Sequence, residues 1–193
     1  SVAASPLLGS DMNEGESLTP MADELVRSGR FDRVVLAPLA VGGTQIARWA
    51  EGDLAPLAQQ ALASLQARYR VTHAIWHQGE NDQGADGPSG GYGHETYRQY
   101  FVGLAASWKE DYPNVQHYYT FQIWPKACAM GIDGSDNRLR EVQRTLPRMF
   151  SNLSVISTLG IKPPGGCHFP AEGYAEFARF LHPMMRRFLY HRQ

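Results

Sequence analysis

Short apolar runs separated by helix-forming segments are the feature that most constrains how this chain can fold. The runs at 33–41 and 71–76 are almost fully apolar, which is typical of strands buried on both sides of a sheet. The run at 115–123 is rich in aromatic and β-branched strand formers, and 153–158 is the last short strand. Amphipathic periodicity predicts helices at 54–69, 95–109, 137–150 and 171–190, after a first helix that Thr19 caps and Gly29 ends. The alternation predicts an α/β fold whose mostly parallel sheet is covered by helices on both faces.

Length and charge exclude several classes of protein. A chain of 193 residues has the length of one domain, and 18 basic against 19 acidic side chains give no polyanion-binding surface. No apolar run is long enough to cross a membrane. We therefore expect neither nucleic acid nor a membrane as a partner.

Three segments rich in glycine and reactive side chains follow the predicted strands. VGGTQ (41–45) and HQGEND (77–82) come directly after a strand, and PPGGCHF (163–169) lies shortly after the last one. Parallel α/β folds bind ligands at the carboxyl ends of their strands, so these segments are expected to converge there. Fold logic alone thus predicts a site at this end of the sheet.

The first segment suits the binding of an anion. Gly42 and Gly43 offer backbone N–H groups that no Cβ shields, as an oxyanion or a phosphate requires. The alternative is a tight turn into the helix that carries Ile46 and Trp49. A P-loop is excluded, because no Gly-Lys-Ser/Thr follows.

The HQGEND segment is the most informative, since a structural loop rarely needs so many polar groups together. Gln78 and Asn81 can donate hydrogen bonds to an oxyanion, while Glu80 or Asp82 could orient a histidine or order the loop. In the structural alternative, Glu80 only ties down nearby backbone N–H groups. A metal site with His77 is conceivable, but the spacing matches no strong zinc signature.

His168 is the histidine best placed to act as a general base. It stands in a glycine-containing loop just before the final helix, whereas His73 falls inside a predicted strand and is interpreted as a core residue. Its neighbour Cys167 lacks a local group that would activate a thiolate. A disulfide between Cys128 and Cys167 and two free thiols both remain open.

Together these motifs resemble the SGNH hydrolases, specifically the sialate O-acetylesterase and acetylxylan-esterase type group of carbohydrate esterase family six. The motifs are GGTQIARW, THAIWHQGEND and GGCHFPAEGYAEFA, preceded by LLG and a helix with Ala22, Asp23 and Leu25. The resemblance implies a flavodoxin-like three-layer α/β/α sandwich. It also implies that Gly43, Gln78 and Asn81 form an oxyanion hole, that His168 is the general base and that Glu80 supports it.

Two departures from the family pattern affect the expected mechanism. The family's Gly-Gln-Ser-Asn block, which carries the nucleophilic serine, is absent, and Ser10 is out of register by one position. Gly165 replaces the Asp three residues before the catalytic histidine, so a Ser–His dyad or a triad completed by Glu80 or a backbone carbonyl is expected. We therefore expect one SGNH-type domain over 1–193 that lacks its first strand and nucleophile block. An N-terminal segment or a partner chain would supply the serine.

The resemblance implies a carbohydrate O-acetylesterase that needs no cofactor and acts on an acetylated sugar. Substrate contacts are expected from Trp49, His77 and Trp124. One alternative is a non-catalytic carbohydrate-binding relative, in which Tyr92 could also stack on sugars. Another is a metal-dependent hydrolase using His77, Glu80, Asp82 and His168. Polysaccharide substrates and a possible disulfide favour an extracellular or periplasmic location.

Overall fold

A computed structural model describes residues 16–29, 31–83, 94–125, 135–161 and 168–189. The chain divides into two compact units. The first comprises Ser1–Gly42 and Thr158–Gln193, and the second comprises Gly43–Ser157. The prediction of one domain over 1–193 stays a prediction.

The described helices follow the predicted order. They are α1 (Leu18–Arg27), α2 (Ile46–Ala50), α3 (Leu54–Gln66), α4 (His94–Asp111), α5 (Ser135–Thr145) and α6 (Ala171–Leu189). A short 3₁₀ turn, Leu146–Arg148, continues α5, because Pro147 cannot donate the hydrogen bond that a further helical turn needs. None of the described helices combines the length and apolarity needed to cross a membrane.

The sheet of the second unit has three strands: β1 (His73–Trp76), β2 (His117–Phe121) and β3 (Leu153–Ile156). They pair in chain order and all run parallel, with Ile75 beside Tyr119 and Tyr119 beside Ser154. The central strand, β2, is buried along its whole length. Three of the four predicted strands and the parallel α/β class are thereby confirmed.

In the second unit, α4 packs against α2 and α5, and α2 packs against α3. Buried side chains of α2, α4 and α5 form one core cluster with side chains of β2 and β3. The fully buried side chains of this core include Tyr97 and Phe101 of α4, Ile123 after β2, and Leu139 and Leu146. Apolar residues spaced three or four apart place one face of each helix on the core. Hydrogen bonds from Gln143 and Arg140 to the backbone of Ile123 hold α5 at the carboxyl end of β2.

In the first unit, α1 packs against α6. Met21 and Leu25 of α1 are buried, as are Phe177 and Leu181 of α6. Gly29 ends α1 as predicted, with a φ of 71°.

The start of α1 differs from the prediction. Its N-cap is Ser17 rather than Thr19, and the carboxylate of Glu16 accepts hydrogen bonds from the backbone N–H groups of Leu18 and Thr19. A carboxylate can satisfy these free donors as well as a threonine hydroxyl can.

The strand predicted at 33–41 is wrong. This run has no regular secondary structure, and Val35 and Leu39 are 50% and 36% exposed. In the flavodoxin-like order 2-1-3-4-5, this run would pair only with the first strand of the sheet. No described residue supplies that strand, so among the described residues this run has no neighbouring strand with which to form a ladder.

Candidate active site

The candidate site lies where two turns of the second unit meet, after the carboxyl end of β1. We call residues 43–46 the glycine turn and residues 77–83 the acidic turn. The Asn81 side-chain amide donates to the Gly43 carbonyl at 3.1 Å, and the Gln78 amide donates to the Thr44 carbonyl at 2.9 Å. The structure therefore brings together the first two of the three predicted segments.

Gly43 presents an exposed backbone donor at the site. Its φ of 65° is in the left-handed region, which favours glycine. Among the described residues, nothing lies within 4 Å of the position a Cβ would take, and none accepts a hydrogen bond from its N–H. This N–H is free to donate to a substrate oxygen.

Unlike the Gly43 N–H, the side-chain amide of Gln78 is not free to bind a substrate. It is buried, and its amide nitrogen donates both to Thr44 and to the carboxylate of Asp82. An amide nitrogen has only two hydrogens, so both are used within the protein. Gln78 here joins the two turns, and its assignment as an oxyanion donor stays a prediction. Asn81 keeps one amide hydrogen beyond its bond to Gly43.

Glu80 orients a histidine, and that histidine is His77. The carboxylate oxygen Oε1 lies 3.1 Å from His77 Nε2, and the His77 ring also contacts Phe121 with ring centroids 5.4 Å apart. His168 is exposed and lies shortly before α6 in the first unit. Its predicted role as general base stays a prediction.

Asp82 orders the acidic turn and links it to α2. The side chain is fully buried, and Oδ2 accepts hydrogen bonds from Gln78 and, at 3.0 Å, from the backbone N–H of Ile46. Burial is the main cause that raises the pKa of Asp82 to about 7, and the nearby charge of Glu80 adds to it. The second oxygen, Oδ1, is buried without a hydrogen-bond partner among the described residues.

Two residues that hold the acidic turn were missed by sequence reasoning. The hydroxyl of Tyr97 and the side-chain amide of Gln143 both donate to the Gln78 carbonyl, at 3.1 and 3.0 Å. The oxygen Oε1 of Gln143 accepts from the N–H of Ile123 at 3.0 Å. A signal was available, because Gln143 interrupts the apolar face formed by Leu139 and Leu146.

Gly79 is required by packing as well as by backbone conformation. Its φ is 137°, and a Cβ would stand 2.9 Å from both Gln143 Nε2 and Ile123 Cγ2. The acidic turn therefore approaches the core more closely than any other residue type would allow.

The predicted substrate-contacting aromatics differ in their surroundings. Trp49 is only 6% exposed, its indole N–H donates to the Thr44 hydroxyl at 2.9 Å, and its ring forms a T-shaped pair with Trp76. Its predicted contact with a sugar stays a prediction. Trp124 is half-buried. His73, predicted as a core residue, lies in β1 with its ring stacked on Tyr119.

The described residues hold no group of three His, Cys, Asp or Glu side chains arranged to bind a metal ion. Other predictions fall on positions outside the described residues: Ser10, Tyr92, Cys128, Gly165 and Cys167.

A family model matches residues 4–187 of this chain; it describes carbohydrate esterases that are sialic acid-specific acetylesterases. A search of curated proteins gives no match. Among solved structures, a protein from Arabidopsis thaliana is similar with a TM-score of 0.76 and 21% identity, over 98% of this chain and 76% of that one.

Two further structures come from bacteria. One is described as a candidate arylesterase from Agrobacterium tumefaciens, with a TM-score of 0.67 and 19% identity, over 97% of this chain and 94% of that one. The other is a carbohydrate acetylesterase from Xanthomonas citri, with a TM-score of 0.63 and 21% identity, over 89% of this chain and 40% of that one. At these identities the likeness shows the fold, which is that of SGNH-type esterases.

Proposed function

Because this chain belongs to the family of carbohydrate esterases that are sialic acid-specific acetylesterases, we propose that it removes acetyl groups from a sugar by serine-type acyl transfer. The observation that carries this proposal is the free N–H of Gly43, a residue whose carbonyl accepts a hydrogen bond from the Asn81 amide after the carboxyl end of β1. Ester hydrolysis passes through a tetrahedral intermediate with a negatively charged oxygen. Two donors fixed in advance of the reaction suit that oxygen.

The donors would act on the transition state more than on the bound ester. In the oxyanion the former carbonyl oxygen carries a full charge, so hydrogen bonds from Gly43 and Asn81 strengthen as the charge develops. Each such donor typically lowers the barrier by about 2.7–4 kcal/mol. No cofactor takes part in this scheme.

The nucleophile in this scheme is a serine from outside the described residues, supplied by an N-terminal segment or by a partner chain. Its oxygen attacks the acetyl carbonyl while His168 takes the hydroxyl proton. The proton then passes to the departing sugar oxygen, which leaves an acetyl-serine. Water, deprotonated by the same histidine, releases acetate and restores the serine.

The identity of the group that supports His168 belongs to the same proposal. Gly165 stands where relatives of this type carry an acidic residue, so the scheme uses a Ser–His dyad or a carboxylate from elsewhere in the chain. In this structure, Oε1 of Glu80 contacts Nε2 of His77. We assign Glu80 the role of ordering the acidic turn through His77, which leaves a dyad as the simpler scheme.

An acetylated carbohydrate, with sialic acid among the candidates, is the proposed substrate. The side chain of His77 is partly exposed, and we propose that it contacts the sugar. A polysaccharide substrate would suit an extracellular or periplasmic place of action, which we propose for this protein.

The experiment measures acetate release from 4-nitrophenyl acetate and from an O-acetylated sialic acid. It compares this chain, a longer form with the upstream residues, and the longer form with His168→Ala; His191→Ala is the matched control. We expect the longer form to be active, His168→Ala to lose at least a thousandfold in kcat, and His191→Ala to stay within twofold. Saturable sugar binding without acetate release from the longer form would instead support the non-catalytic alternative.

A further inference from the structure

The two candidate oxyanion donors are on different turns, 38 residues apart in the sequence. An oxyanion hole works only when its donors keep a fixed separation, since small displacements weaken both hydrogen bonds. Asn81 itself is partly exposed, and its single bond to Gly43 is open to competition from water. A buried contact is therefore needed to fix the two turns.

That buried contact centres on Asp82. Its Oδ2 accepts from Ile46 N–H on one turn and from the Gln78 amide on the other, and the Gln78 amide in turn donates to Thr44. One oxygen thus connects the first residue of α2, the glycine turn and the acidic turn. The backbone N–H of Asp82 also donates to the Gly79 carbonyl at 2.9 Å, which closes the acidic turn on itself.

We propose that Asp82 is a positioning residue of the esterase site: it acts through Gln78 and the Ile46 N–H to hold Gly43 at a fixed distance from Asn81. This inference rests on the proposed function. Asp82 does not touch the substrate, because its side chain is fully buried. Loss of its acceptor should therefore lower kcat, by displacing the oxyanion donors, more than it raises KM.

In this proposal, Asp82 contributes one oxygen that accepts the hydrogen bonds from Ile46 and Gln78. The side-chain oxygen of an asparagine can accept the same two bonds. Asp82→Asn retains a side-chain oxygen for Ile46 and Gln78, and its new N–H₂ takes the place of the unpartnered Oδ1. Asp82→Ala removes the acceptor and leaves the Ile46 N–H buried without a partner. The two variants therefore separate the positioning role from the presence of charge.

The test measures kcat and KM for acetyl ester hydrolysis in the active form of the protein, together with hydrogen exchange at the Gly43 and Ile46 amides. For Asp82→Ala we expect kcat to fall by at least thirtyfold, KM to change by less than threefold, and exchange at Ile46 to rise at least tenfold. Asp82→Asn should stay within fivefold of the wild type on each measure. Leu146→Ala, a core substitution in the second unit, is the stability-matched control and should keep kcat within threefold.

Several results would overturn the proposal. They are a kcat for Asp82→Ala within threefold of the wild type, a loss no larger than that of Leu146→Ala, or a loss in Asp82→Asn as large as in Asp82→Ala. If Asp82→Ala does not fold, Asp82→Ser, whose hydroxyl ends short of Ile46 N–H, replaces it with the same expectations. If the wild type hydrolyses no acetyl ester, the proposed function fails, and unchanged exchange at Ile46 then separately refutes the role of Asp82.

Discussion

The two turns of the site are held in different ways. The acidic turn is fixed to the core, because Tyr97 and Gln143 donate to the Gln78 carbonyl and Gly79 packs against Gln143 and Ile123. The glycine turn is held by side chains of the acidic turn, and space is open around Gly43. The comparison teaches that one turn is a rigid support while the other, which carries the free donor, takes its position from that support.

The largest expected effect comes from the supporting turn. Gly79→Ala forces a side chain into a φ of 137° and places a Cβ 2.9 Å from Ile123. We expect the free energy of unfolding to fall by about 3 kcal/mol or more, since strain and overpacking add. Urea denaturation followed by far-UV circular dichroism measures this. A loss under about 1 kcal/mol would show that the acidic turn is not fixed against the core.

Removal of the polar support should have a slightly smaller effect. Gln143→Leu keeps the volume but leaves the Ile123 N–H without its acceptor and removes one of two donors to the Gln78 carbonyl. A loss of about 2–3 kcal/mol in unfolding free energy is expected from these buried polar groups. Gln60→Leu, on the exposed side of α3, is the control and should stay within about 0.5 kcal/mol. Equal losses in both variants would contradict a specific role for Gln143.

Asp82, which links the two turns, predicts that the stability of the protein depends on pH. Asp82 has a pKa raised to about 7 by burial, so the folded protein binds a proton that the unfolded chain releases near pH 4. Its contribution to stability is therefore present at low pH and is lost as pH rises from about 4 to about 7, by on the order of 1 kcal/mol per pH unit. Thermal melts of the wild type and Asp82→Asn over pH 4–8 measure the difference. The gap should widen with pH in favour of the variant, and a gap that is constant would refute the assignment.

The glycine turn should be the most tolerant of the positions compared. Gly43→Ala places a side chain at a φ of 65°, which is unfavourable, but into open space. We expect a loss of roughly 1 kcal/mol in unfolding free energy, from backbone strain alone. Denaturation beside Gly79→Ala tests the contrast directly. If the two glycines proved equally sensitive, the glycine turn would have to be as tightly packed as its support.

Sequence composition predicted the three strands that form the sheet. The runs that form β1, β2 and β3 carry β-branched and aromatic side chains, and each finds a neighbouring strand. The run at 33–41 is also strongly apolar, but no described strand lies beside it, and it forms no strand. Strand formation depends on a partner that is distant in sequence, and composition alone does not reveal whether that partner is present.

For the site, the sequence predicted which segments meet but not where their side chains point. The convergence of VGGTQ and HQGEND followed from parallel topology, and the hydrogen bonds of Asn81 and Gln78 confirm it. The direction of each side chain did not follow: Gln78 donates within the protein, and Glu80 faces His77. The support from Gln143 depends on the packing of α5 beside Ile123, a contact that no motif in the acidic turn encodes.

The hydrogen bond from Trp49 to Thr44 makes the glycine turn observable in solution. The chain has four tryptophans, and each contributes one indole N–H signal to a proton–nitrogen correlation spectrum. Trp49→Phe would identify the signal of the Trp49 indole. Because that proton lies on the hydroxyl of the residue after Gly43, its chemical shift reports when a sugar ester or an oxyanion analogue occupies the turn, without any label on the ligand.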